Sequence, residues 1–318
     1  MRSRTIGLTP EDVDGACSAG RVVRTWAMRG TLHMLAADDV RWIVGLLGPH
    51  VERTYRRRRA QPGLDAGTCR RGLAAIEAVL SGSRPLTRAE LIAAIAAEGV
   101  VIDPTDQAPA HLVLYAATQG VVCRGPEVGR DQPTYVLLDE WVPPVPPVDR
   151  DDALARLARR YLTGYGPAGP GDLATWSGLP VPDARRAFAL IADELRTIDV
   201  AGEPVTALAA SDLEPDADGP PRLLARFDAY LLGYRGRDLI LDPAYATRIL
   251  DGGTIQAAVV VAGRIVGTWR RERRGKANVV EVRPFTTLPR GCRPGLREEA
   301  ADIARFLGID VSMQVTLA

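Results

Sequence analysis

The chain has 318 residues, 46% of them hydrophobic and 25% charged, which suffices for two or three compact units and is too apolar for a disordered protein. No apolar run approaches the roughly 18 residues of a membrane helix, and Met1-Arg2-Ser3-Arg4 leads into no signal-peptide core, so a soluble cytoplasmic protein is expected. The net charge of +1 hides a division: residues 21–60 balance at +6, residues 261–297 at +8 and the remainder at −13.

Thr9 caps a predicted helix with Pro10 in its first position, running to about residue 19. A strand at 22–28, a turn at Arg29-Gly30 and a strand at 31–35 follow, then a long helix over 39–60 that ends in Arg56-Arg57-Arg58-Arg59. Residues 1–60 therefore read as a partial first winged helix, its last helix and hairpin only, plus the long helix. Either other units cover that helix's apolar face or the chain lacks a piece the fold expects.

Residues 61–148 read as a second winged helix. A helix at 70–80 is followed by a break at Ser81-Gly82-Ser83-Arg84-Pro85, and Thr87 with Glu90 forms a capping box for a helix to 97. A helix at 107–119 precedes strands at 120–124 and 134–138, whose wing tip is 125–133. Pro143-Pro144-Val145-Pro146-Pro147 is a stiff linker.

The third unit, 149–210, is the clearest. Ala153, Leu154, Leu157, Ala158, Tyr161 and Leu162 form one stripe of a helix at 151–165, and a Gly/Pro breaker at 166–171 ends it. A short helix at 172–177, a Gly178-Leu179-Pro180 turn, a helix at 181–195 and strands at 197–200 and 205–208 complete a helix-turn-helix with a wing. After an acidic linker at 212–221, residues 222–318 read as α+β, with strands at 223–232, 254–261, 264–269 and 278–282, a helix at 294–307 and a final strand. The expected fold is mixed α+β and helix-rich, with tandem winged-helix units and a C-terminal β-rich portion.

Cys17, Cys69, Cys123 and Cys292 form no CxxC pair, and His33, His50 and His111 are dispersed, which excludes a zinc knuckle or disulfide framework. Esterase, P-loop and HExxH motifs are absent. What remains is cationic. In Val23-Arg24-Thr25-Trp26-Ala27-Met28-Arg29-Gly30-Thr31-Leu32-His33, Arg24, Arg29, Thr31 and His33 could grip phosphate or a base edge. The alternative pairs Arg24 with a carboxylate and lets His33 satisfy buried backbone. Arg270, Arg271, Arg273, Arg274 and Lys276 stand at an expected hairpin tip beside Trp269, placed to enter a groove or simply to keep a turn soluble. Tyr234, Arg235 and Arg237 could line a cleft, although their segment alone reads as a strand entering a turn. The cluster from Arg56 to Arg59 spans one helical turn, so its charges are expected to radiate in all directions.

These residues resemble a family. The block from Val23 to His33, the Phe227-Asp228-Ala229-Tyr230-Leu231-Leu232-Gly233-Tyr234-Arg235 block and the Gly263-Arg264-Ile265-Val266-Gly267-Thr268-Trp269 block are similar to the bacterial AlkZ/YcaQ-type winged-helix DNA glycosylases. The resemblance implies three winged-helix units and a β-rich portion around a basic channel for duplex DNA. It also implies cleavage of the N-glycosidic bond of alkylated purines, in some members unhooking of interstrand crosslinks, and no metal or organic cofactor. An N7-alkylated base already carries positive charge, so positioning water and stabilising the sugar cation suffices.

One departure matters. The family's catalytic pair, two glutamines separated by one residue or a glutamine and an aspartate, precedes the third helix of the first unit, whereas Met1-Arg2-Ser3-Arg4 matches the segment after it. No QxQ or QxD triplet occurs, and Gln107 and Gln119 are isolated. No catalytic residue carries over, and base excision is expected only if an upstream segment supplies the pair. The expectation is a DNA-repair glycosylase scaffold that binds duplex DNA as a nucleoid-associated monomer. The alternatives are a non-enzymatic DNA-binding protein or transcription regulator, and a structural protein whose basic stretches never converge on one concave surface.

Overall fold

Thr9 and Asp12 close a reciprocal cap at the start of α1 (Pro10–Ser18). The Thr9 N–H and hydroxyl donate to the Asp12 carboxylate at 2.8 and 2.9 Å, and the Asp12 N–H donates to Thr9 Oγ1 at 3.2 Å. The computed structural model describes residues 2–61, 63–129, 132–200, 202–213, 219–275 and 277–316. The fold is mixed α+β, and the chain forms two units: Asp14–Ala209, and Met1–Val13 together with Ala210–Ala318. No described helix is long and apolar enough to cross a membrane.

In the unit Asp14–Ala209, β1 (Val22–Trp26) and β2 (Leu32–Ala36) pair antiparallel around a tight turn at Met28–Gly30. Helix α2 (Ala37–Ala60) follows, then α3 (Ala66–Leu80), capped by the Asp65 carboxylate accepting from Thr68 N–H at 2.6 Å. Next come β3 (Leu86–Thr87), α4 (Arg88–Ala97) and α5 (Ala108–Thr118), and then β4 (Val122–Arg124), β5 (Thr134–Leu137) and α6 (Leu138–Trp141). The Thr87–Glu90 capping box forms as the sequence predicts. The two hairpins expected to be separate share one sheet, ordered β2-β1-β4-β5-β3, through the bridge Arg24↔Arg124.

The core beneath this sheet is Ile76, Leu91, Ile95, Leu112, Ala116, Ala117 and Tyr135. Helix α5 is apolar around nearly its whole circumference, so every residue but the exposed Ala110 and the half-buried Tyr115 is buried, rather than one stripe alone.

Helices α7 (Arg150–Tyr165), α8 (Pro170–Ser177) and α9 (Val181–Ala189) then lead into the hairpin β6 (Leu195–Val200) and β7 (Glu203–Leu208). All six residues of the predicted α7 stripe are buried. The helix expected to reach 195 stops at Ala189, because Leu195 pairs with Leu208 as the first residue of the hairpin.

In the other unit, β8 (Arg222–Leu224) is followed by a 3-10 turn at Ala229–Leu231, α10 (Ala246–Ile249), β9 (Leu250–Asp251) and β10 (Thr254–Ile255). The remaining elements are β11 (Ala258–Val261), β12 (Arg264–Arg274), β13 (Ala277–Pro284), α11 (Cys292–Leu307) and β14 (Val311–Val315). The sheet order is β14-β13-β12-β11-β8; only β13–β14 is parallel, as a crossover through α11 requires. Leu296, Ala300 and Ile303 of α11 pack on Leu223, Val259, Val280 and Val282, covering one face of the sheet.

Three strand expectations change here: the strand expected over 254–261 divides into β10, which pairs with β9, and β11, which pairs with β8 and β12. The strand expected over 223–232 ends at Leu224, since Phe227 adopts φ 56° and Asp228 caps the following turn by accepting from Tyr230 N–H at 2.9 Å. The strand expected to end at 269 continues to Arg274, paired through Arg274↔Ala277.

Candidate nucleic-acid interface

Strand alternation sorts the first cationic block onto two faces. Arg24 is opposite Met34 and Trp26 opposite Leu32, so these four side chains share one face, while Thr25 opposite His33 lies on the other. Arg24 is only 11% exposed in its side chain; it pairs with Glu127 at 2.7 Å and lies 3.9 Å from Asp14. Its guanidinium is therefore engaged by Glu127 rather than presented to solvent. Trp26 stacks on Tyr135 with centroids 6.4 Å apart, and the Arg124 guanidinium lies 5.6 Å over the Trp26 ring.

The turn between these strands is built on Arg29 and Gly30, both in the left-handed region (φ 55° and 72°). A Cβ on Gly30 would press within 2.8 Å of Tyr55 and 2.9 Å of Val51 on α2, so the close approach requires glycine. Arg29 donates to the carbonyls of Trp176 and, at 3.3 Å, Thr175, which puts a cation on the negative C-terminal end of α8. Thr31 Oγ1 and His33 Nε2 lie 2.8 Å apart, so these two predicted residues do come together. Burial first, and then the neighbouring Arg29 charge, push the His33 pKa down, so its ring is neutral at neutral pH.

The cluster at the end of α2 does not radiate evenly. Arg59 turns inward: its side chain is 7% exposed, lies 4.4 Å over the Tyr115 ring and pairs with Glu52 at 2.9 Å. Arg56 takes the other oxygen of Glu52 at 3.0 Å. Arg53, Arg57 and Arg58 are exposed, and among the described residues they make no ion pair.

In the other unit the basic run lies on strand β12, not at a tip, and alternation splits it. Arg270 meets Glu281 and Glu272, each at 2.6 Å, and Arg274 meets Glu272 at 3.1 Å and Gln314 at 2.9 Å. Arg271, on the opposite face, donates to Asn278 Oδ1 at 3.2 Å, and Arg273 donates to the Gly275 carbonyl at 3.2 Å. Trp269 is half-buried and donates its indole N–H to the Leu224 carbonyl at 2.7 Å. Lys276 lies outside the described residues.

Arg235 is exposed and Tyr234 half-buried in the loop before α10, where Arg237 donates to the Leu231 carbonyl at 2.8 Å. Arg2 and Arg4, which sequence reasoning passed over, are anchors. Arg2 bridges Glu299 at 3.0 Å and Asp302 at 2.9 Å, and Arg4 grips the buried Asp228 carboxylate at 2.6 Å. Nothing local marked either role, because their partners lie more than two hundred residues away. Among the described residues, no group of three His, Cys, Asp or Glu side chains is arranged to hold a metal ion.

Comparison with known proteins adds three findings. The family described as DNA glycosylase AlkZ-like matches residues 1–306. The Streptomyces sahachiroi interstrand DNA cross-link repair glycosylase is 28% identical over 310 residues, which takes in 91% of this chain and 80% of the relative. The structure of Streptomyces sahachiroi DNA glycosylase AlkZ superimposes with a TM-score of 0.76 at 26% identity, covering 96% of this chain and 85% of that one.

Proposed function

Because the chain belongs to the AlkZ-like DNA glycosylase family, we propose that it is a tandem winged-helix protein that binds duplex DNA with little sequence preference and recognises alkylated purines or interstrand crosslinks. The helix order supports the winged-helix reading: α3, α4 and α5 precede the β4–β5 hairpin, and α7, α8 and α9 precede β6–β7. On this reading the units run over 1–60, 61–148, 149–210 and 222–318, the first one partial. The cationic residues named from the sequence remain its contact set, with Arg53, Arg57 and Arg58 added.

Which helix can enter a groove follows from exposure. Helix α5 is enclosed, and the exposed face of α1 carries Glu11, Asp12 and Asp14, which repel phosphate. Helix α9 exposes Val181, Pro182, Arg185 and Arg186. It is the helix of the three that suits a groove.

The observation that carries the proposal is that many exposed arginines make no ion pair among the described residues, among them Arg53, Arg57 and Arg58 in one unit and Arg271 and Arg273 in the other. Guanidinium groups left in water without carboxylates are available to displace counterions from a phosphate backbone. The test is fluorescence anisotropy with duplexes of unrelated sequence across a salt series. Binding that weakens steeply with salt and is alike for all duplexes supports the proposal; sequence-specific footprints, or binding indifferent to salt, overturn it.

A second reading, a DNA binder that releases no base, draws on the lack of any QxQ or QxD triplet. Incubation with N7-methylguanine duplex separates the two, since only a glycosylase liberates free base.

A further inference from the structure

We propose that the sheet face opposite α11 carries a phosphate-binding site between Arg248 and Arg283, and that its ligand is a phosphodiester of a nucleic-acid strand. The choice of ligand rests on the DNA-binding reading above. Arg248 lies outside the two basic stretches of the sequence, and Arg283, inside the second of them, is not among the contact residues named from the sequence.

Register defines the face. Thr268 is directly opposite Arg283 and Arg270 directly opposite Glu281, so all four side chains project together, away from the Val280 and Val282 face that α11 covers. Against them lies a cavity of about 670 Å³, lined among others by Arg248, Arg270, Arg283, Gln256, Thr268 and Asp251.

Glu281 is the fixed point beneath it, with its side chain 4% exposed. Its carboxylate accepts from Arg270 Nε at 2.6 Å and Thr316 Oγ1 at 3.0 Å, and pairs with Arg283 Nη2 at 3.0 Å. One buried anion thus holds two guanidiniums in place, and each fork of five N–H donors keeps some unspent.

Arg248 comes from α10, beyond the sheet. Its guanidinium lies 5.6 Å from the Tyr245 centroid and 5.7 Å from that of Phe285, two rings that stack at 4.6 Å. Among the described residues it has no carboxylate partner. Aromatic rings position a cation without neutralising it, so its charge remains for a ligand.

The charge count favours a monoanion. Arg248, Arg270, Arg274 and Arg283 face Asp251, Glu272 and Glu281, which leaves one positive charge among the described side chains, and a phosphodiester brings one negative charge. The tetrahedral phosphate suits donors that arrive from separate directions, here α10 and the sheet, with Thr268 and Gln256 as neutral partners.

The experiment uses the full chain and two variants, Arg248→Gln and Arg283→Gln. Arg248 supports no carboxylate, so R248Q keeps the fold even if R283Q loosens Glu281. Anisotropy on a fluorescent duplex, from about 50 to 300 mM salt, should show each variant about tenfold weaker, with a salt slope lower by about 1. An R248Q affinity and slope equal to the parent's would overturn the strand assignment.

A second measurement does not involve DNA. Inorganic phosphate is titrated at constant ionic strength while the arginine Nε–H resonances are followed. Saturable shifts at Arg248 and Arg283 are expected, and unmoved resonances remove the site altogether. Shifts with phosphate in a chain that binds no duplex would keep the phosphate site and discard the DNA reading.

Discussion

Gly48 on α2 and Thr118 at the end of α5 touch backbone to backbone: a Cβ on Gly48 would overlap the Thr118 carbonyl oxygen. This contact lets α2 press onto α5, and it is part of the reason α5 is enclosed. Gly48→Ala should therefore lower unfolding stability by roughly 1–3 kcal/mol, since a rigid carbonyl cannot swing aside. Denaturant unfolding measures it. Gly45, on the same helix, has open space where a Cβ would go, so Gly45→Ala should be neutral or stabilising. Equal losses at both positions would contradict the packing described.

Helix α9 provides a test of DNA contact that avoids the core. Arg185 is exposed, so Arg185→Glu should weaken duplex affinity by about tenfold without moving the unfolding transition. Ala110, the exposed residue of the otherwise enclosed α5, serves as the control. Ala110→Glu should leave affinity unchanged, and a larger loss there than at Arg185 would reverse the assignment of the groove helix.

Stability should depend on pH in two windows. Burial is the leading cause that lowers the pKa of His33, His50 and His111, with nearby arginines adding to it and Asp183, 3.5 Å from His50, opposing it. The unfolded chain therefore binds protons before the folded one, and stability should begin to fall as pH drops below about 6.5. Glu281 is held at about 2 against an ordinary 4.5, by its hydrogen bond to Arg270 first, then by Arg283 and Thr316. Its contribution is complete above 4.5 and is lost as pH falls toward 2. Urea midpoints measured from pH 8 to 3 should decline in both windows, and Glu281→Gln should shrink the decline below 4.5. Midpoints that rise on acidification from pH 7 to 5 would contradict the histidine assignment.

All four cysteines are buried free thiols, with Cys123 fully enclosed and its pKa pushed up by burial to about 12. The thiolate is the reactive form, so a thiol-specific disulfide reagent should label the folded chain negligibly and the unfolded chain at all four positions. Rapid labelling in native buffer would show that the units open far more readily than their packing implies.

Local rules were readable along the chain. The Thr87–Glu90 capping box, the cap at Thr9 and the six-residue stripe of α7 depend on neighbours three or four positions away, and all formed as expected. The burial of α5 has an equally local cause, because residues 108–118 are almost wholly apolar and a helix apolar nearly all round leaves little face for water. Partner choice was not readable in this way. Arg59 turned onto Tyr115, Arg24 onto Glu127 and Arg2 onto Glu299 only because the chain closed long loops between them. Arginines next to each other in sequence were parted by strand alternation, and Arg248 and Arg283, thirty-five positions apart, were brought to one cavity. A charge's role is set by which opposite charge lies within a few ångströms, and in this molecule only the folded path of the chain decided that.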